Sequence, residues 1–235
     1  MSRAAIVTGA GGGIGRAIAE ALAADGWTVI GIDRWFSGDH PHLNRKIEQD
    51  IADSDGFRAT LTGIMEKTPI TGLVNCAGIS VVGRFADSRE AEWRKLVDIN
   101  FIAPLTACQA VLPHMVENGE GGAIVNITSD SARVGAAGEA VYAGTKGGLA
   151  AFSKSLAQEV GRFGITVNCV SPGIVATPMS SPNAELIAKL VKKVPMKRVG
   201  LPADIAGAVV FLMNPQASYI TGQVLSVGGG LTMAG

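Results

Sequence analysis

The chain has 235 residues, 47% of them hydrophobic and 17% charged, with 31 glycines, which is enough to bury a sizeable core and leads us to expect one domain over 1–235. Its 20 Lys and Arg balance 20 Asp and Glu, so no whole-chain field draws it to nucleic acid or to a membrane surface. The start shows only a short apolar run, AAIV, and no segment approaching the ~20 apolar residues of a bilayer span is expected, so the reading is a cytoplasmic protein.

Cys76, Cys108 and Cys169 are odd in number, widely spaced and set among apolar residues, which reads as free thiols. His40, His42 and His114 share no ligand spacing with them, so no metal site is expected.

The stretch RAAIVTGAGGGIGRAIAEALAADG reads as strand, glycine turn and helix, with Ile14, Ala17, Ile18, Ala21 and Leu22 on one helical face. Gly9, Gly13 and Gly15 allow a tight turn and close backbone approach, and the helix N-terminus starting near Ile14 offers free amide donors to a pyrophosphate. A purely structural turn is the competing reading. The next strand, WTVIGID, ends at Asp33, 18 residues past Gly15 and near the position of an acid that binds an adenosine ribose. Its carboxylate suits two hydroxyls and repels a 2′-phosphate, which favours NAD over NADP. The adjacent Arg34 keeps NADP as the alternative.

RWFSGDHPHLNRKIEQDIAD has poor helical periodicity, so a shortened crossover leading to a short strand at KIEQDI is predicted. Asp50 and Ile51 then stand either beside an adenine ring or at the cap of the following helix. TGLVNCAG reads as a buried strand ending in small residues, where Asn75, Ala77 and Gly78 let the backbone approach a ribose or simply make a turn. Arg89 to Val116 is predicted as one helix, bent by Pro104. Asn100 inside that apolar run needs a hydrogen-bonding reason, either a kinked backbone or a water beside Lys146.

Asn126 to Lys146 carries Ser129, Tyr142 and, four residues on, Lys146. Residues so spaced share a helical face, and an ammonium beside a phenol lowers its pKa, so that the tyrosine can act as a base. The plain alternative packs the ring and sends the lysine to solvent. FSKSLAQEVGRFGITVNCVSPG ends this helix, enters a buried strand and turns at Pro172 and Gly173. In SPNAELIAKLVKKVPMKRVG, Lys189, Lys192 and Lys193 share one predicted helical face, followed by Lys197 and Arg198. This suggests a small-molecule substrate with an anionic tail such as coenzyme A, against the alternative of a solvated face. Arg133 is a second anion contact or an exposed loop residue. GLPADIAGAVVFLM reads as a further helix and GQVLSVGGG as the last strand.

TGAGGGIG, Asp33, NCAG, Asn100, Ser129, YAGTK and SPGIVATPM stand in the order and spacing of the short-chain dehydrogenase/reductase family, which the whole chain resembles. The departure is Cys76, where that family often has Ala or Asn. The resemblance implies an α/β, doubly wound Rossmann fold with a seven-stranded parallel sheet and helices on both faces. It implies that 1–120 mainly bind cofactor and that 121–235 carry catalysis, a substrate loop over 178–200 and the contacts of a homotetramer. Tyr142 is implied as acid/base, Lys146 as its pKa modulator and ribose ligand, Ser129 as the substrate-oxygen partner and Asn100 as the anchor of a water relay. Ile174 and Thr177, after Pro172 and Gly173, are implied to meet the cofactor.

SDSARVGAAGEAVYAGTKGGLAAFSKSLAQEVGRFGITVN and ITGQVLSVGGGLTMAG are similar to the 2-hydroxycyclohexanecarboxyl-CoA dehydrogenases. The stretch after IDRWF is similar to the 2,3-dihydro-2,3-dihydroxybenzoate dehydrogenases, and the 3-oxoacyl-thioester reductases are similar more generally. The expectation is an NAD-dependent oxidoreductase acting on a β-hydroxyacyl-CoA or a cyclic hydroxy acid. The alternatives are an NADP-dependent 3-oxoacyl-thioester reductase and a non-catalytic NAD-binding sensor. The joint presence of Asn100, Ser129, Tyr142 and Lys146 argues against the sensor.

Overall fold

The computed structural model describes residues 3–177, 189 and 191–233. Seven strands form one sheet: β1 (Ala4–Thr8), β2 (Thr28–Asp33), β3 (Arg45–Glu48), β4 (Gly72–Asn75), β5 (Gly122–Ile127), β6 (Ile165–Pro172) and β7 (Val224–Val227). Their order is β3-β2-β1-β4-β5-β6-β7 and every pairing is parallel. Parallel neighbours need crossovers, which here are helices on both faces, so the central strands are buried on both sides and read as unbroken apolar runs. Period-two alternation splits β1 between the two cores. Ala4 and Ile6 face a cluster with Phe57, Leu61, Val111 and Leu156, while Ala5 and Val7 face one with Ile18, Leu22, Val209 and Leu212.

Among the described residues the bounded α-helices are α1 (Gly13–Ala24), α2 (Ser54–Met65), α3 (Glu90–Val97), α4 (Ala103–Asn118), α5 (Ser131–Val134), α6 (Ala140–Val160) and α7 (Pro202–Met213). No helix forms between β2 and β3, as the broken periodicity of that stretch predicts. Asp53 caps α2 by accepting from the Gly56 amide at 3.1 Å. Asp53→Ala should therefore cost about 1 kcal/mol of stability, read as a lower midpoint in urea unfolding with an unchanged slope.

The predicted helix from Arg89 is realised as α3 and α4 joined by a π turn, Asp98–Ile102. Pro104 falls in the first turn after it, where a missing N–H fits the irregular ladder. The irregularity in this run is thus a widened turn centred on Asn100. The continuous helical run Glu90–Asn118 is long and apolar enough by composition alone to cross a membrane, but half of its most apolar window is buried inside the fold. A long amphipathic core helix passes the same test.

Candidate active site

The strand order reverses between β1 and β4, and the crevice at their carboxyl ends is where an open α/β sheet offers a ligand site. The two loops that leave it are tied together. Thr8 Oγ accepts from the amides of Cys76 and Ala77 at 3.1 and 3.2 Å. Gly9 has φ +74°, and a Cβ there would stand 2.8 Å from the Ala77 nitrogen. Gly15 is tighter still, since a Cβ would overlap the Gly9 carbonyl oxygen. The first turn of α1 has no side-chain cap and no acidic residue, which leaves the amides at Gly13, Ile14 and Gly15 for an external acceptor. The Ile14 side chain itself packs against the core.

Asp33 closes the end of β2, its oxygens accepting from the Gly11 amide at 2.9 Å and the Arg34 amide at 2.7 Å. Backbone thus fixes the carboxylate at the rim, with lone pairs left for hydroxyls, while the Arg34 side chain is exposed. Glycine cradle, free helix terminus and fixed carboxylate together fit a dinucleotide.

Two adenosine-side expectations change. Ile51 is only 7% exposed and packs in the core, so its side chain does not reach a ring. Asp50 accepts from Ala52 N at 3.0 Å in a turn, and the helix cap next to it is Asp53. The Asn75 side chain also turns inward, donating to Asn126 Oδ1 at 2.8 Å, while Asn126 donates to Ser153 Oγ at 2.8 Å. Only the Asn75 backbone remains for a ligand. Ala77 meets Gly9 as above, and a Cβ on Gly78 would lie 3.0 Å from Asn100 Oδ1 and 3.3 Å from Lys146 Nζ.

That glycine marks the meeting point of Asn100 and Lys146. Asn100 grips Ile79, accepting from its N–H and donating to its C=O, both at 2.9 Å, and also donates to Thr145 Oγ at 3.4 Å. The backbone it satisfies is therefore that of the turn after β4, not its own helix. Lys146 is 3% exposed and donates to the Ile127 carbonyl at 2.8 Å. The reading that sends it to solvent is wrong. Burial pulls its pKa down to about 8, with the Cys76 and Cys169 thiols acting the other way.

Tyr142, one turn earlier on α6, has the Ser129 hydroxyl as hydrogen-bonding neighbour. Its pKa moves up, chiefly by burial, with the Ser129 bond opposing and the Glu139 charge adding. This reverses the expected direction. The Lys146 ammonium donates one bond to Ile127 and stands beside Gly78, with two N–H donors left. Ser129 also pairs with Ser131 Oγ at 2.8 Å.

On the far wall, Pro172 ends β6, and Gly173 and Ile174 follow it. The Ile174 carbonyl accepts from Gly200 N at 2.9 Å. Thr177 crosses the crevice, its methyl 3.7 Å from where a Gly13 Cβ would be. Arg133 is half-buried on α5. Lys189, Lys192 and Lys193 are all exposed, the last two in a turn. Arg198 is held by Asp204 through two contacts at 2.6 and 2.8 Å, which removes it from the basic patch. Of the expected substrate loop, 178–188 and 190 lie outside the described residues.

A family model described as enoyl-(acyl carrier protein) reductase matches residues 9–232. The 3-oxoacyl-[acyl-carrier-protein] reductase FabG of Vibrio harveyi is 39% identical over 97% of this chain and 97% of its own length. The chain belongs to the short-chain dehydrogenase/reductase family. As such it is an oxidoreductase of a family that binds a nicotinamide cofactor. The human (3R)-3-hydroxyacyl-CoA dehydrogenase is 34% identical over 99% of this chain and 96% of that one. A crystal structure from Beutenbergia cavernae, described as a putative NAD(P)-dependent gluconate 5-dehydrogenase with bound NADP at low occupancy, superposes with a TM-score of 0.91. It is 30% identical, over 97% of this chain and 96% of that one.

Two residues of this short-chain dehydrogenase/reductase escaped the sequence reading. Thr8 was visible only as the residue before the glycine turn, and a β-branched hydroxyl at a strand end also reads as strand propensity. Asp130, next to Ser129, is buried, and its carboxylate joins Ser171 and Ser226. Its polar neighbours Thr128, Ser129 and Ser131 make it read as an ordinary loop acid, so nothing in the sequence pointed to its burial.

Proposed function

We propose that the enzyme is an NAD-dependent dehydrogenase interconverting a secondary alcohol and a ketone on a β-hydroxyacyl-CoA or cyclic hydroxy-acid substrate. The observation that carries this reading is the convergence of Ser129, Tyr142 and buried Lys146 on the crevice lined by Gly9, Gly15 and Gly78.

The amides of Gly13, Ile14 and Gly15 would hold the pyrophosphate, and Asp33 the adenosine ribose hydroxyls. Lys146 and the backbone of Asn75, Ala77 and Gly78 would hold the second ribose, with Pro172, Gly173, Ile174 and Thr177 as the far wall. The nicotinamide, when bound, supplies the hydride acceptor or donor. Tyr142 Oη exchanges a proton with the substrate oxygen, and Ser129 Oγ donates to that oxygen as charge develops. Burial keeps the phenol protonated, which suits it to protonate a ketone oxygen. In the opposite direction the proton leaves only against added positive charge, the part we give to the Lys146 ammonium and to the cationic ring. Asn100 serves as a positioning residue. By gripping both polar groups of Ile79 it sets Gly78 against Lys146, and a water relay from it is not needed for that role.

Asp33 supports NAD, because a fixed carboxylate repels a 2′-phosphate. A second reading, an NADP-dependent 3-oxoacyl-thioester reductase, draws on the Vibrio relative, the NADP in the Beutenbergia structure and the exposed Arg34. We place the enzyme in the cytoplasm as a homotetramer without nucleic-acid or membrane partners. Edge strand β7 with exposed Leu225, beside exposed Phe211 and Tyr219, supports such assembly.

The deciding experiment measures kcat/KM with both cofactors over hydroxyacyl-CoA esters and cyclic hydroxy acids. NAD should lead by about tenfold or more, and neutralising Lys192 and Lys193 should raise KM for the CoA esters about threefold without moving kcat. A lead for NADP transfers the assignment to the reductase reading. An unmoved KM removes the anionic-tail argument.

A further inference from the structure

Asp130 follows Ser129 at the end of β5 and is 5% exposed. Oδ1 accepts from Ser171 Oγ at 2.7 Å, and Ser226 Oγ approaches both oxygens, at 2.9 and 3.0 Å. The Asp130 amide donates to the Pro172 carbonyl at 3.0 Å. The carboxylate occupies space that two glycines leave. A Cβ on Gly228 would come within 2.5 Å of Oδ2, and one on Gly173 within 3.5 Å. Among the described residues no lysine or arginine pairs with it.

A carboxylate taken out of water costs several kcal/mol unless a cation answers it, and two serine hydroxyls are neutral donors. Lys146 donates to the Ile127 carbonyl and makes no ion pair with Asp130 among the described residues. Pure strand-tying does not call for a charge either, because an asparagine or a third hydroxyl could join Ser171 to Ser226. The segment against which Asp130 packs, Pro172–Gly173, is the far wall of the site described above.

We infer that Asp130 is a buried counter-charge for the oxidised nicotinamide. It favours the cationic ring over the neutral reduced one, so that the enzyme loads oxidised cofactor readily and releases reduced cofactor readily. The inference rests on the cofactor-binding reading of the preceding subsection. It also gives Gly173 and Gly228 a common purpose, which is to leave room for a carboxylate behind the Pro172–Gly173 backbone, the segment that would face the ring.

The test is calorimetric titration of the wild type, Asp130→Asn and Asp130→Ser with NAD+ and with NADH. Both variants remove the charge and keep a hydrogen-bonding group, and thermal melts check folding, so that either one carries the test if the other fails to fold. The ratio of the NAD+ to the NADH dissociation constant should rise about tenfold, with NADH affinity changed by less than about twofold. Parallel weakening of both cofactors, or no change in either, would make Asp130 a strand tie and overturn the inference while leaving the cofactor reading intact. A wild type that binds neither cofactor overturns both.

Discussion

Tyr142→Phe should lower kcat by about 10³-fold or more while the dissociation constant for cofactor stays within about twofold. The substitution removes one oxygen and keeps the ring that packs in α6, so the fold has no reason to change. It removes the atom that meets Ser129 and leaves that hydroxyl without its neighbour. Burial holds the phenol above its ordinary pKa, so in the reductive direction the wild type should keep its activity as pH rises past neutrality and lose it only when the phenol finally ionises. The variant should show neither the rate nor that alkaline limb. Turnover equal to wild type in stopped-flow cofactor absorbance would refute the assignment of Tyr142 as the acid/base.

Gly15→Ala should abolish useful cofactor binding, raising the dissociation constant about a hundredfold, and lower the melting temperature by several degrees. The added methyl overlaps the Gly9 carbonyl oxygen, and that neighbour is backbone, so the clash cannot be relieved by a rotamer change. Either the β1–α1 turn opens or α1 slides, and both move the amides of its first turn away from a bound phosphate. Gly12→Ala is the control. A Cβ there meets nothing within 4 Å, and its φ of −168° is open to any residue. Titration and melting of both variants should separate them sharply, and equal behaviour would mean that the turn is not a tight cradle.

What the sequence could reveal and what it could not divide along a physical line. Elements set by local pattern were legible. The apolar runs of β1, β4, β5 and β6 can only be strands covered on both faces, and the glycine spacing after β1 has few uses apart from a close turn at a helix start. The missing helix between β2 and β3 was readable from broken periodicity. Direction and partner were not legible, because they depend on chain distant in sequence. Nothing near Asn75 or Ile51 shows that their side chains face inward, and nothing near Asn100 shows that its partner is the backbone of Ile79. The i, i+4 spacing put Tyr142 and Lys146 on one helix face, but it could not show that the ammonium donates to Ile127, on a strand distant in sequence, or that burial raises the phenol's pKa. In the lysine-rich segment the pairing of Arg198 with Asp204 and the turn at Lys192 and Lys193 were likewise not readable from spacing.

The widened turn at Asp98–Ile102 puts a jump in phase between α3 and α4. One extra residue in a helical turn advances every later side chain by about 100°. Leu96 before the jump and Ala103, Ala107 and Val111 after it are all buried, and Asn100 sits at the discontinuity with no exposure at all. Residue count between Trp93 and Ala107 is therefore a constraint of the architecture in its own right. Losing a single position there, whatever its identity, would rotate the α3 face by about a quarter turn against α4 and withdraw Asn100 from Ile79, with no substitution anywhere in the site.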